Sequence, residues 1–266
     1  MFDIFKKKKY RNLAIRNNKK YLNSKYTKRI FFENFLDKKI AVKLSKSFPG
    51  HNSKNWDYKT YKNNNKNIKR FIDDERKFPK PIREFMREVN SRQFILFLEA
   101  LTGIHGLIAD PYFMGGGIHS VSKGGFLKIH TDFNWHHKLQ LHRRINVLFY
   151  LTQNWKKKYD GALQFRTTKN KLIEEYEPKF NSCLIFNTNH KSFHGHPKPL
   201  KSPKNVTRKI LNIYYYTVNR PNNEKFNPTF TNYNFEIKKE KINKRLFSEN
   251  KSKWSKEILV NYKNLK

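Results

Sequence analysis

Two periodicities divide the chain. Pro79 and Pro81 open a helical region in which Phe94, Ile95, Leu98 and Leu101 recur at helical spacing. Ser91 stands at the N-cap position for a helix over Phe94–Ala100, and Gly103 is its stop. After Asp110 the period shortens. Gly115–Gly117, Gly124–Gly125 and Gly161 punctuate short runs of β-branched and aromatic residues. These runs predict strands at Ile118–Val121, Phe126–Thr131, Arg144–Leu151, Ala162–Arg166, Ser182–Phe186 and Lys209–Thr217. Many short strands joined at glycines favour a sandwich or barrel over a parallel sheet. The expectation is a mainly β domain with flanking helices, and no internal repeat is evident.

The ends are more polar. Residues 1–28 are basic and Asn-rich with scattered apolar positions (Phe2, Ile4, Phe5, Leu13, Ile15) and read as a tail, with a short amphipathic helix as the alternative. Packed structure is expected from Ile30 to Leu44. The low-complexity stretch from Lys59 to Lys69 reads as a loop. Beyond Asn219 Lys, Asn and Glu take over, with one amphipathic helix expected near Trp254–Leu265. This extension is a lid, an interaction arm or solvated chain.

Composition changes this picture in two ways. With 23 Phe and 14 Tyr the chain can bury a sizeable core despite a mean hydropathy of −0.90, which argues against disorder. The formal net charge of +36 admits an anionic partner, a nucleic acid or a membrane surface. Lys and Asn are abundant in ordinary loops too, so compositional bias explains the charge equally simply. Cys183 is the single cysteine, which excludes an intramolecular disulfide and a Cys-based zinc site. Phe2, Ile4 and Phe5 precede the run Lys6–Lys9, the reverse of a secretory signal. No run approaches the roughly 18 apolar residues of a membrane span. A cytoplasmic location is the expectation.

Seven of the ten histidines fall between His130 and His196. His130 and Asp132 end a predicted strand, where residues i and i+2 share a face. An imidazole and a carboxylate side by side offer two ligands to a divalent metal, and a third histidine from another strand would complete a facial triad with open positions. Alone, a His-x-Asp pair also fits a surface pair or a buried hydrogen-bonded couple. His194 follows the apolar run ending at Phe186, and Arg208 opens the next strand. An arginine entering a sheet interior needs an anionic partner, and a dicarboxylate suits bidentate guanidinium geometry. By alternation Asn212, Tyr214 and Tyr216 share the face of Arg208.

Taken together, Gly115-Gly-Gly-Ile-His-Ser120, Gly124-Gly-Phe-Leu-Lys-Ile-His-Thr-Asp132, Arg144-Ile-Asn146, Tyr150-Leu151, Trp155, Gly161-Ala-Leu163, Phe193-His-Gly-His-Pro197, Arg208 and Tyr214-Tyr-Tyr-Thr217 resemble the prolyl 4-hydroxylase-like branch of the 2-oxoglutarate/iron(II) oxygenases. The resemblance spans roughly residues 95–220. It implies a double-stranded β-helix (a jelly-roll, cupin-like barrel) with an N-terminal helical region. The implied division is a basic tail (1–28), a helical support region (29–110), the dioxygenase domain (111–220) and a basic C-terminal extension (221–266). It implies Fe(2+) on His130, Asp132 and His194, with Arg208 on the distal carboxylate of 2-oxoglutarate and ascorbate as an added reductant. His190 and His196 do not match the ligand position. Asn146, Tyr150 and Asn212 fall in the implied co-substrate pocket, although ordinary barrel-interior polar residues would look the same.

Two departures stand out. Many relatives place Ser two residues after the arginine, where this chain has Ile210. The segment Asn189-His190-Lys191-Ser192 lacks the acidic or hydroxyl residue expected near its start. The implied reaction consumes 2-oxoglutarate and O2 and hydroxylates an unactivated C–H bond, first of a prolyl or peptidyl substrate. A small molecule or glycan-linked sugar is the alternative, and a non-catalytic basic binding module on the same scaffold is a third. The segment Trp135–His142 either borders the substrate mouth or forms a solvated hairpin.

Overall fold

The computed structural model describes residues 3–58 and 69–235. The first part of the chain forms α1 (Lys8–Leu22), β1 (Arg29–Phe32), α2 (Lys38–Lys46), β2 (Asp57–Tyr58), β3 (Lys69–Ile72), α3 (Lys80–Val89) and α4 (Arg92–Thr102). The strand-rich part follows with β4 (Ile108–Ala109), β5 (Gly117–Val121), β6 (Leu127–His130), β7 (Trp135–His136) and β8 (Leu141–Tyr150). It continues through β9 (Leu163–Arg166), β10 (Leu172–Tyr176), β11 (Ser182–Asn187), β12 (Phe193–His196) and β13 (Arg208–Thr217). All pairings are antiparallel.

The major sheet runs β1-β11-β8-β13-β5-β3-β2, with β4 and β7 added beside β13 and β8; the minor sheet runs β10-β9-β12-β6. The chain alternates between sheets: β5 major, β6 minor, β8 major, β9 and β10 minor, β11 major, β12 minor, β13 major. That alternation is a double-stranded β-helix, as expected.

The two faces of the major sheet bury different things. Ile145, Val147 and Phe149 of β8, with Leu211, Ile213 and Tyr215 of β13, pack under Phe85, Phe94 and Leu98 of α3 and α4. The alternate residues Leu148, Tyr150 and Ile210 meet Leu163 and Phe165 of the minor sheet. This explains why β8 is buried along its whole length: it is covered on both faces. Ser91 does sit at the N-cap of α4, but its side chain makes no capping hydrogen bond; Gly103 ends the helix with a left-handed φ of 68°.

The N-terminal tail expected at 1–28 is instead largely the helix α1. Tyr10, Ala14 and Tyr21 are buried on one face, Tyr10 donates a hydrogen bond to the Phe35 carbonyl at 3.0 Å, and Tyr21 bonds Asn187. Three apolar anchors and two phenol hydrogen bonds outweigh the poor mean hydropathy of a Lys-rich segment. Nor is the region before residue 110 only helical, because β1 and β3 extend the major sheet at opposite sides. Of the predicted loop at Lys59–Lys69, residues 59–68 lie outside the described residues and Lys69 begins β3. The helix expected near Trp254–Leu265 also lies outside them. Among the described residues no helix is long and apolar enough to cross a membrane.

Candidate active site

Strands β6 and β12 pair with His130 directly opposite His194. Close approach there depends on Gly195, whose Cβ would lie 2.7 Å from the carbonyl oxygens of both Leu127 and Lys128. Asp132 lies two residues beyond the strand end at His130. One potential ligand atom from each of the three residues lies within 4.8 Å of the others. His130 Nε2 is 3.5 Å from Asp132 Oδ1, and His194 Nε2 is 3.5 Å from Asp132 Oδ2.

Each imidazole is oriented from behind. His130 Nδ1 lies 2.8 Å from the Lys128 carbonyl and His194 Nδ1 lies 2.8 Å from the Ser192 carbonyl. A carbonyl only accepts, so both Nδ1 atoms carry a proton and both Nε2 atoms are turned to the centre. Phe186 and Phe165 flank the His194 ring at 4.8 and 6.0 Å. Asp132 Oδ2 accepts from Asn146 Nδ2 at 2.7 Å and lies 3.2 Å from Arg143 Nη2. Two imidazoles and one carboxylate, each held by an outer partner, are a donor set that fits a divalent first-row metal.

Charge reinforces this state. Burial opposes ionisation of Asp132, but Arg143, His194 and His130 outweigh it and hold the carboxyl well below its usual range. Burial, with help from His130 and Arg143, pushes His194 down to about 4 against the opposing pull of Asp132. A histidine depressed from 6.5 to about 4 is protonated first in the unfolded chain. Its contribution to stability is therefore complete above about pH 6.5 and lost as the pH falls toward 4. His142 and His190, also pushed down to about 4 by burial, act in the same direction. The melting temperature of the metal-free protein should fall through this window. A flat profile would contradict a buried neutral His194.

A cavity of about 180 Å³ opens between the sheets and is lined by all three of these residues together with Asn146, Arg208 and Asn212. Arg208 is 2% exposed. Its Nε donates to the Gly161 carbonyl at 3.0 Å, and Nη2 reaches the Tyr150 hydroxyl only at 3.4 Å. Among the described residues no carboxylate pairs with it. Asn212 donates to the Tyr214 hydroxyl at 3.2 Å, while its own Oδ1 is buried without a partner. Asn146 lies at the cavity wall, with its amide bonded to Asp132 and its oxygen to Arg143.

Arg143 escapes strand alternation. Tyr215 pairs with Ile145 but Tyr216 pairs with Arg143, so Arg144 is an extra, bulged residue. The bulge turns Arg143 to the cavity face beside Asn146, between the rings of Tyr214 (3.5 Å) and Phe133 (4.2 Å). Arg144 turns the other way, toward Thr217 and Glu224. Lys69 and Tyr233 also line the cavity. The first was hidden in a low-complexity stretch and the second in a polar extension.

The chain after β13 straps the rim. Thr131 and Asn232 exchange backbone hydrogen bonds of 2.8 and 2.9 Å. Asn134 donates to the Asn227 carbonyl and accepts from the Thr229 amide. The Tyr233 ring stands 5.6 Å from His130, and Phe235 stacks on Phe193 at 4.5 Å. On the same side, Trp135 and His136 are buried in β7 rather than forming a solvated hairpin. His190 packs on Phe226 and is not in the three-residue cluster.

The β-helix thus brings two histidines and an aspartate, a group able to hold a metal ion, into one cavity with a buried arginine suited to an anion. Residues 116–216 match the model of the 2OG-Fe(II) oxygenase superfamily. That match spans His130, Asp132, His194 and Arg208, and it supports reading the protein as a 2-oxoglutarate-dependent dioxygenase that uses Fe(2+). Its fold is similar to that of a Trichoplax adhaerens prolyl hydroxylase in complex with a hypoxia inducible factor peptide fragment. That pair shares 18% identity at a TM-score of 0.53, covering 78% of this chain and 90% of the other. A Pseudomonas putida prolyl-4-hydroxylase is similar at 11% identity and a TM-score of 0.51, covering 77% and 99%. No curated protein matches the sequence.

Proposed function

We propose that the protein hydroxylates an unactivated C–H bond of a prolyl residue in a peptide, with the metal on His130, Asp132 and His194 and the distal carboxylate of 2-oxoglutarate on Arg208. The observation that carries the site assignment is the buried Arg208 guanidinium without an acidic partner, facing the same cavity as the three converging ligand atoms. With iron(II) and 2-oxoglutarate bound, the centre supplies oxidative decarboxylation to succinate and carbon dioxide, coupled to insertion of one oxygen atom of O2 into the substrate C–H bond.

The remaining work belongs to the chain. Lys128 and Ser192 carbonyls keep the imidazole Nε2 atoms turned to the centre. Asn146 and Arg143 hold Asp132 Oδ2, which leaves Oδ1 for the metal. Leu148, Leu163 and Phe186 make an apolar wall that excludes water. The prolyl part of the reading draws on the two prolyl hydroxylases that share the fold. A small molecule or sugar is a second reading, favoured by the strap that pairs Asn232 with Thr131 and brings the Tyr233 ring to 5.6 Å from His130.

Anaerobic addition of iron(II) and 2-oxoglutarate should give a visible metal-to-ligand charge-transfer band, and no band would overturn the site assignment. Mass spectrometry of peptide and metabolite pools for products heavier by one oxygen atom then separates the substrates. Oxygen found only on metabolites would rule out the prolyl reading.

A further inference from the structure

The cavity is electrically polarised. Asp132, the only acidic lining residue among the described residues, belongs to the metal-ligand end. The other end is basic, and the sheet register explains why. Val121 pairs with Lys69 on one side and Arg208 on the other, so Lys69, Val121 and Arg208 form one row across β3, β5 and β13. On the minor sheet His196 pairs with Leu127, beyond a bulge that separates it from the His194–His130 pair. His196, Leu127, Val121, Lys69 and Arg208 all line the cavity.

His196 is 3% exposed, and its Nδ1 is buried without a hydrogen-bond partner. The basic groups whose fields reach it are Arg208, Lys69 and His130. A buried polar ring with an unmet bond lowers stability unless something absent from the protein meets it. Placing it among cations, on the wall of a cavity, favours an anion. An imidazole presents at least one N–H whether neutral or protonated, so it can donate in either state.

We propose that His196 is a co-substrate-positioning residue, which donates a hydrogen bond to the distal carboxylate of the 2-oxo acid held by Arg208. Its position selects a dicarboxylate over a 2-oxo acid with an apolar end. The inference rests on the reading of Arg208 given above, and the experiment separates the two.

The test is equilibrium titration of manganese(II)-loaded, anaerobic protein with 2-oxoglutarate and with 2-oxopentanoate, which keeps the chelating end but carries a methyl group in place of the distal carboxylate. Wild type should prefer 2-oxoglutarate. His196→Val should lose roughly tenfold or more in affinity for 2-oxoglutarate and almost none for 2-oxopentanoate, with His196→Gln recovering most of the loss. The metal-free melting temperature of His196→Val should not fall, because no bond to Nδ1 is broken; His196→Met is the substitute if the valine variant does not fold. An equal loss for both ligands, or no loss, overturns the role of His196. A wild type that does not distinguish the ligands overturns the Arg208 reading itself.

Discussion

Arg208→Met is expected to raise the melting temperature of the ligand-free protein while weakening its binding of 2-oxoglutarate. The two effects have opposite signs because Arg208 is a buried cation without an acidic partner among the described residues. Burial accordingly lowers its proton affinity, and the Tyr150 hydroxyl compensates only in part. Replacing buried ionic groups by apolar side chains of similar volume is often neutral or stabilising by about 1–4 kcal/mol. The lost bond to the Gly161 carbonyl offsets roughly 1 kcal/mol of that. Binding moves the other way. Truncating one partner of a buried, hydrogen-bonded charge pair costs about 2–5 kcal/mol, or at least roughly thirtyfold in affinity. Thermal unfolding and calorimetric titration read the two halves separately. A variant that melts lower and binds 2-oxoglutarate normally would make Arg208 a structural residue.

Asp132→Ala should reduce succinate formation to background and also destabilise the fold. The carboxylate lies between His130 and His194 and is the counter-ion of Arg143, which is 1% exposed. Leaving a buried guanidinium uncompensated costs about 3–5 kcal/mol. His130→Ala should abolish turnover with a smaller loss of stability, because the Asp132–Arg143 pair survives it. Arg143→Met added to Asp132→Ala should restore much of the stability and none of the turnover. That cycle isolates the two roles of one carboxylate. Turnover retained in both single variants would show that the metal is held elsewhere.

Much of the site was legible because it lies on strands whose side chains alternate. His130 and Asp132 are two residues apart at a strand end, and Arg208, Ile210, Asn212 and Tyr214 follow one face of β13 into the cavity. Local spacing is enough for such features. The helical period of α4 and its Gly103 stop are legible for the same reason. Arg143 was not, since a single bulged residue at Arg144 reverses the alternation, and pairing partners alone determine where a bulge falls. Lys69 and His196 meet Arg208 only because β3 joins the sheet edge and β12 lies across the barrel.

The Lys-rich α1 holds its place through contacts with distant residues such as Phe35 and Asn187, which no local pattern encodes. By itself, the sequence determined a β-rich domain, the His130–Asp132 pair at a strand end and an arginine opening the last strand, because each depends on neighbours a few positions away. The oxygenase reading and the choice of His194 came from the resemblance of the whole pattern. Tertiary structure decided which cations share the far end of the cavity, which arginine faces Asp132 and what covers the rim. Those outcomes depend on register between strands far apart in the chain, and register is fixed only when the sheets close on each other.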